Sequence, residues 1–171
     1  MITLIILALL LFTAYTFYVY GKLGIPDSYS NTWYLLKAKK KGLQWIWYGF
    51  MITFVALLLP AVIELTPDEW RFLAFLAVAP LGFVGTAAAF KDDPMTGKVH
   101  LIAAIISAAA IIGLTFVFQL FGILIIVGVV ELLIALIYYL KTKQNVFTFN
   151  LEQAVFITGL GIYLYRAITL L

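Results

Sequence analysis

The sequence predicts an all-α protein that crosses a membrane several times, and three observations support this fold class. The 171 residues are 65% hydrophobic and 11% charged, whereas typical soluble domains are about 45–50% apolar and about 25% charged. Six apolar runs are long enough to cross a hydrocarbon core of about 30 Å as helices. Charged and turn-forming residues separate these runs. A soluble fold of this length has too little interior to bury so much apolar surface.

Each apolar run is predicted to be a helix, because lipid offers the backbone no hydrogen-bond partner outside the element itself. We therefore expect a polytopic integral membrane protein with a single transmembrane domain over residues 1–171. The domain is predicted to be a bundle of six transmembrane helices, at about 2–20, 43–64, 68–90, 99–118, 121–140 and 151–170.

The basic residues lie mostly in alternate loops, and this distribution predicts the orientation of the bundle. The remaining loops and the last helix hold only Arg71 and Arg166. Because cytoplasmic loops are the ones enriched in lysine and arginine, we expect a cytoplasmic (inner) membrane location with both termini outside. The loops after the first, third and fifth helices, with their flanks, hold nine lysines: Lys22, Lys37, Lys39, Lys40, Lys41, Lys91, Lys98, Lys141 and Lys143.

The longest loop, residues 21–42, is predicted to contain a short interfacial helix over about 28–41. Tyr29, Trp33 and Leu36 recur at helical spacing. Aromatic rings on one face and cations beside them are typical of a helix that lies in the membrane interface, rings toward lipid and lysines toward anionic head groups. A solvated loop with aromatic residues at the membrane boundary is the alternative. The predicted lipid-surface residues are Trp33, Lys37, Lys39, Lys40 and Lys41.

Glu131 is the clearest intramembrane ionisable residue, because it lies near the middle of the fifth run. At about 1.5 Å per residue it is about 14 Å from either end of that helix. A lone carboxylate at this depth is costly, so we expect it to be protonated unless water or a cation reaches it. Ser107 on the fourth helix is expected at nearly the same depth. The two residues predict either a hydrogen-bonded contact between helices or a relay for protons or cations.

The single histidine follows a polar stretch at the start of the fourth helix. His100, Asp92 and Asp93 are expected at the cytoplasmic boundary, on the same membrane face as Ser28. A serine, a histidine and an aspartate could act as nucleophile, base and orienting carboxylate in a membrane-embedded lipid hydrolase. The alternative is a capped turn, in which the aspartates start the helix and His100 rests at the interface. Whether the protein is an enzyme stays open at this point.

No cofactor or metal site is predicted. The chain has one histidine and no cysteine, while a catalytic zinc ion normally takes three protein ligands, commonly several histidines. Zinc is therefore a poor fit to this composition. The loops are too short to hold a nucleotide, and the sequence lacks the Gly-Lys motif that binds phosphates.

Four segments carry a resemblance: IPDSYSNTWY, TPDEWRFLAFLA, FVGTAAAF and GKVHLIAA. They resemble an uncharacterised family of small polytopic bacterial membrane proteins, which implies a helical membrane protein and no particular activity. A more distant resemblance is to the alkaline ceramidase and adiponectin-receptor-like superfamily of membrane hydrolases. That resemblance implies a serine, an aspartate and histidines around an embedded zinc ion, matched here by His100, Asp92 or Asp93, and Ser28 or Ser107. The histidine pair of the superfamily's last helix has no counterpart.

The sequence favours a membrane protein without catalytic activity, which acts as a structural, assembly or regulatory component. Its expected partners are membrane lipids, with anionic head groups on the cytoplasmic side, and a second copy of the chain or another membrane protein. Nucleic acid is not an expected partner. A small transporter or conductor of ions or protons built around Glu131 is the first alternative, and the lipid hydrolase is the second.

Overall fold

The computed structural model describes residues 1–170, and within them it contains seven α-helices and no strand. The prediction of an all-α protein is therefore confirmed. A short 3-10 helix, Asp68–Trp70, leads into the fourth helix. The seven helices are α1 (Ile2–Leu23), α2 (Thr32–Lys39), α3 (Trp45–Glu64), α4 (Arg71–Thr86), α5 (Pro94–Val117), α6 (Phe121–Thr142) and α7 (Phe147–Thr169).

Several helices have the length and composition of membrane spans, which supports the predicted membrane protein. α7 has 23 residues and is also long enough for a core of about 30 Å. Its first turns, however, carry Asn150, Glu152 and Gln153, which lower its hydropathy. The sixth span therefore stays a prediction. The five segments that are long and apolar enough to cross a membrane are Ile2–Leu23, Trp45–Glu64, Asp68–Thr86, Pro94–Val117 and Phe121–Thr142.

Two helix boundaries at the turn between α4 and α5 differ from the prediction. α4 ends at Thr86 instead of residue 90, and α5 begins at Pro94 instead of residue 99. α5 starts early because the Asp93 carboxylate accepts hydrogen bonds from the amide and the hydroxyl of Thr96, at 2.6 and 2.8 Å. These bonds hold the pKa of Asp93 below its usual value. Asp93 is thus the N-cap of α5, as the capped-turn alternative predicts.

Five helices form a closed ring. α1 packs on α3, α3 on α4, α4 on α5, α5 on α7 and α7 on α1, while α6 lies outside the ring against α7. The packing of α4 on α5 is extensive, and the packing of α5 on α7 is sparse. Within the described part of the chain, α6 buries only Glu131 and Ala135. Aromatic side chains dominate the ring interior: Phe12, Tyr15, Trp47, Phe50 and Phe54.

The short helix of the first long loop is present, but it does not face lipid as expected. α2 lies inside the predicted range of 28–41. Tyr29, Trp33 and Leu36 are at most 6% exposed, because α2 turns its apolar face inward onto α1 and α3. The prediction that Trp33 is a lipid-surface residue is therefore wrong. Contact of the lysines with head groups stays a prediction, and all four are exposed: Lys37, Lys39, Lys40 and Lys41.

α3 and α4 cross closely at Gly85. A Cβ atom at this position would lie 2.6 Å from the Cβ atom of Met51, closer than real Cβ contacts allow. The Gly85 carbonyl also accepts a hydrogen bond from the indole N–H of Trp47, at 3.1 Å. Because Trp47 is fully buried, its indole needs such a partner. The close crossing therefore packs the core and also supplies the hydrogen-bond acceptor for the indole N–H of Trp47.

We expect Gly85→Ala to lower the free energy of unfolding by about 1–3 kcal/mol, because the added methyl group must push α3 and α4 apart. Gly82→Ala is the matched control, since it lies three residues earlier on α4 with no atom within 4 Å of the added Cβ. Unfolding of both variants in detergent micelles measures the difference. Equal stability of the two variants would contradict the close crossing.

Candidate functional site

The lysine-rich loops meet at one end of the bundle, which we call the basic end (residues 24–44, 87–93 and 143–146). Lys91 joins two of the loops. Its ammonium group donates to Oδ1 of Asn31 at 2.7 Å, and its amide donates to the phenol oxygen of Tyr34 at 2.7 Å. The Gln144 side chain donates to the Ile25 carbonyl at 3.0 Å and brings in the third loop. The three loops therefore lie on one face of the bundle, as their charge predicts.

Residues 25–39, which we call the plug segment, close the ring of helices at the basic end. Tyr29 enters the ring, where its side chain is 1% exposed and stacks on Phe149 with ring centroids 4.4 Å apart. The Tyr29 phenol shares a hydrogen bond of 2.8 Å with the Thr16 hydroxyl. The hydroxyl of Thr32 pairs with the phenol of Tyr15 in the same way. Two phenol–hydroxyl pairs thus tie the plug segment to α1.

Glu152, in the second turn of α7, holds the plug segment from the opposite side. Its Oε2 atom accepts a hydrogen bond from the main-chain N–H of Tyr29 at 2.6 Å. With the carboxyl ionised, this bond is charge-assisted and stronger than one between neutral groups. The neighbouring Gln153 accepts from the Tyr20 phenol of α1 at 3.0 Å. Two adjacent residues of α7 therefore hold the plug segment and α1 in place.

Tyr29 is kept neutral by its surroundings. Burial raises the pKa of the Tyr29 phenol, and the nearby Glu131 and Glu152 carboxylates raise it further. The phenol can therefore serve as a lasting hydrogen-bond partner of Thr16.

An apolar cleft of about 260 Å³ lies beneath the plug segment, between α5 and α7. Ser30, Thr148 and Glu152 line it at the basic end. Ser107 lines it at greater depth, but its hydroxyl donates to the Ala77 carbonyl of α4. The outer walls are apolar and come from α5 and α7: Leu101, Ala104, Ile105, Ala108, Leu151 and Val155. Trp47 of α3 and Leu81 and Val84 of α4 line the inner side.

The cleft opens sideways through the wall of the bundle. Leu101, Ile105 and Leu151 line it and are 59%, 57% and 67% exposed, so they also belong to the outer surface. The opening exists because α5 packs mainly on α4 and α7 packs mainly on α6 and α1. Ala104 and Ala108 are too short to fill the gap that remains. In a bilayer this opening faces lipid chains.

The cleft ends inside the bundle at Leu81, Ile111 and Phe156. Beyond these residues lies a void of about 20 Å³, lined by Leu58 and Tyr163 among others. A void of that size holds about one water molecule, and only where polar partners are present. Across the described residues, the cleft is therefore a pouch that is open to the side and not a passage through the bundle.

Glu131 lies in a separate cleft between α6 and α7. The side chain is 6% exposed, and the cleft of about 260 Å³ is also lined by Gly128, Asn150 and Ala154. No hydrogen bond joins Glu131 to any residue in 1–170. Because α6 faces α7 and has few contacts with α5, Glu131 and Ser107 line different clefts. The structure therefore does not bring these two predicted partners together.

The residues of the predicted hydrolase lie near the basic end, and their contacts are structural. His100 stacks on Phe90 with ring centroids 4.5 Å apart and is 8% exposed. Asp93 caps α5, and Oγ of Ser28 accepts from the Asn31 amide at 3.1 Å. Within residues 1–170 no hydrogen bond links Ser28, His100 and either aspartate. The geometry therefore fits the capped turn better than a catalytic triad.

The described residues contain no group of three His, Cys, Asp or Glu side chains that could hold a metal ion. His100 has its aromatic neighbour Phe90 on one side and the end of α4 nearby, and Asp93 is engaged by Thr96. The zinc site implied by the distant resemblance to membrane hydrolases therefore has no matching set of ligands in residues 1–170.

The sequence pattern missed the importance of Glu152. No role for Glu152 follows from the sequence. The signal that could have found the cleft is the spacing of small and apolar side chains on two helices. Ala104 and Ala108 follow one another on α5 at helical spacing, and α7 places Glu152 one turn before Phe156. Which helices pair is a tertiary property, so spacing alone could not join these faces.

No protein-family model, curated protein or solved structure matches this chain.

We expect Tyr29→Ala to lower the free energy of unfolding by about 3–5 kcal/mol, the usual cost of emptying the site of a buried aromatic ring. Tyr29→Phe is the matched control, because it keeps the stack on Phe149 and loses only the hydrogen bond to Thr16, which is worth about 1 kcal/mol. Unfolding in detergent gives both values. Trypsin cleavage at Lys39, Lys40 and Lys41 should speed up in the alanine variant alone. Equal unfolding free energies and equal cleavage rates in the two variants would contradict the insertion of the Tyr29 ring between the helices.

Proposed function

We propose that this chain is a lipid-binding protein of a cytoplasmic membrane, which takes one acyl chain into the cleft between α5 and α7. The observation that carries this proposal is the sideways opening of an apolar cleft whose polar groups are gathered at one end. We assign the protein a structural, assembly or regulatory role without catalysis. Its ligand comes from the bilayer itself, through the exposed rim formed by Leu101, Ile105 and Leu151.

In this proposal α7 is the sixth transmembrane span, and the basic end faces the cytoplasm. The 23 residues of α7 match the length of the other spans. Its polar residues Asn150, Glu152 and Gln153 stand in the first two turns, at the depth of the head groups. Because lysine-rich loops stay in the cytoplasm, both termini lie outside. The cleft then opens into the cytoplasmic half of the bilayer.

The size and chemistry of the cleft favour a single chain over a larger ligand. Its volume of about 260 Å³ is below the range of about 300–1,000 Å³ that is usual for pockets of drug-sized ligands. Ala104 and Ala108 leave a smooth wall on α5, and Leu151 and Val155 form the facing wall on α7. A flexible chain of methylene groups suits such a wall, since it needs no hydrogen-bond partner.

The two alternative functions receive less support from the geometry. Ion or proton conduction around Glu131 needs a polar path, but among the described residues Thr148 and Asn150 are the only other polar residues that line the cleft around Glu131. Lipid hydrolysis needs His100 and Ser28 within hydrogen-bond reach of each other or of a common substrate. Their hydrogen bonds and stacking contacts hold the turns at the basic end instead.

We expect Ala108→Phe to exclude the acyl chain, because the ring fills the cleft from the α5 side. The probe is Trp47, which lines the cleft and is 1% exposed, so a chain at the outer surface cannot contact it. Trp33→Phe, Trp45→Phe and Trp70→Phe leave Trp47 as the only tryptophan. In vesicles of phospholipid with brominated chains, bromine should quench Trp47 fluorescence strongly in this background and weakly after Ala108→Phe.

Ala109→Phe is the matched control, because residue 109 is exposed on α5 and does not line the cleft. Its quenching should equal that of the background protein. Unquenched Trp47 in the background protein, or equal quenching in both phenylalanine variants, would rule out a chain in the cleft.

A further inference from the structure

We infer that the cleft selects a phospholipid whose head group carries a primary ammonium, and that Glu152 is the residue that recognises it. This inference rests on the proposed lipid site and names the lipid class that enters it. The acyl chain lies between α5 and α7, and the head group lies at the basic end. The ammonium contacts the free carboxylate oxygen of Glu152, and the phosphate lies toward Lys98 at the rim.

Glu152 has unused hydrogen-bonding capacity at the cleft. Oε2 accepts from the Tyr29 amide, while Oε1 has no hydrogen-bond partner among residues 1–170. An ionised carboxylate offers about four acceptor positions, so one bond leaves most of them open. Because the side chain lines the cleft, a ligand in the cleft can reach these positions.

Glu152 also lacks a positive partner from the protein. Among the described residues, one ion pair is present, and it joins Arg71 and Asp68 at 2.9 Å at the opposite end of the bundle. The groups that face Glu152 are neutral: Tyr29 and Ser30 of the plug segment, and Thr148 one turn earlier on α7. A carboxylate that is largely removed from water is costly unless a cation or several donors compensate it. A ligand ammonium supplies that missing charge.

The rim of the cleft adds a cation, Lys98, at the level of the membrane surface. Lys98 is exposed and precedes Leu101 and Ile105 by three and seven residues, which places all three on one side of α5. It therefore stands where α5 meets the membrane surface, on the outer edge of the opening. The protein's charges therefore complement a zwitterionic head group. The Glu152 carboxylate inside the cleft matches the ligand ammonium, and the Lys98 ammonium at the rim matches the ligand phosphate.

A primary ammonium fits Glu152 better than the quaternary ammonium of choline does. The former has three N–H donors, as a lysine side chain does, and can form charge-assisted hydrogen bonds with a carboxylate. The latter has no donor. A glycerol head group carries no positive charge at all. Ethanolamine phospholipid is therefore the expected occupant, ahead of choline and glycerol phospholipids with identical chains.

The test measures quenching of Trp47 in the single-tryptophan protein. Vesicles contain brominated ethanolamine, choline or glycerol phospholipid, each diluted stepwise into unbrominated lipid of the same chain length. We expect about a tenfold preference for the ethanolamine lipid over the choline lipid, which corresponds to about 1.4 kcal/mol. Glu152→Gln should abolish this preference, because glutamine still accepts from the Tyr29 amide but carries no charge.

Two further variants separate recognition of the ammonium by Glu152 from the loss of a carboxyl elsewhere and from binding of the phosphate. Glu64→Gln removes an exposed carboxyl at the opposite end of the bundle and should leave the preference unchanged. Lys98→Gln should weaken quenching by the ethanolamine and choline lipids alike, since both carry the phosphate. The preference of the parent protein is measured without a substitution at position 152, so the inference can be tested even if Glu152→Gln does not fold.

The outcomes distinguish this inference from the proposed function. Equal quenching by the three lipids, lost after Ala108→Phe, would leave the lipid site in place and overturn the selection of an ammonium. A preference that survives Glu152→Gln would overturn the role of Glu152. No quenching by any lipid would overturn both the lipid site and its selectivity.

Discussion

The insertion of Tyr29 into the ring of helices is the contact on which the architecture of the basic end depends. One residue makes three contacts with two helices: its phenol bonds Thr16 on α1, its ring stacks on Phe149 of α7, and its amide donates to Glu152 of α7. Without this insertion the plug segment would keep its hydrogen bond to Tyr15 of α1 but would lose the contacts of Tyr29 with α7. The polar atoms that a buried loop must satisfy are thus satisfied in part by side chains of α1 and α7.

The cleft persists because the solvent of this protein is lipid. In water, an open apolar gap would be costly and the helices would tend to close it. In a bilayer, association of helices has no comparable hydrophobic driving force, and it depends on close packing and hydrogen bonds. α4 and α5 pack closely, whereas α5 and α7 do not. A gap between α5 and α7 therefore need not be closed by protein.

Much of the fold was predictable from the sequence, and the pairing of its parts was not. Composition and run length predict the helices because they depend on local physics, namely hydropathy and the need to satisfy the backbone in lipid. The direction in which Trp33 points could not be read in this way: its spacing marks an apolar face, but lipid and protein are equally apolar neighbours. For the same reason depth alone paired Glu131 with Ser107, although α6 turns toward α7. The role of Glu152 depends on a contact with Tyr29 across 123 residues of sequence, which no local pattern contains.

The most direct test of the lipid site is a crystal structure of the protein grown in a lipid mesophase that contains ethanolamine phospholipid with brominated chains. Bromine scatters anomalously, so its position can be located without ambiguity about the identity of the density. We expect a bromine peak inside the ring, among Ala104, Ala108 and Val155. Bromine found only around the outside of the bundle, with α5 and α7 in contact where the cleft should be, would contradict it.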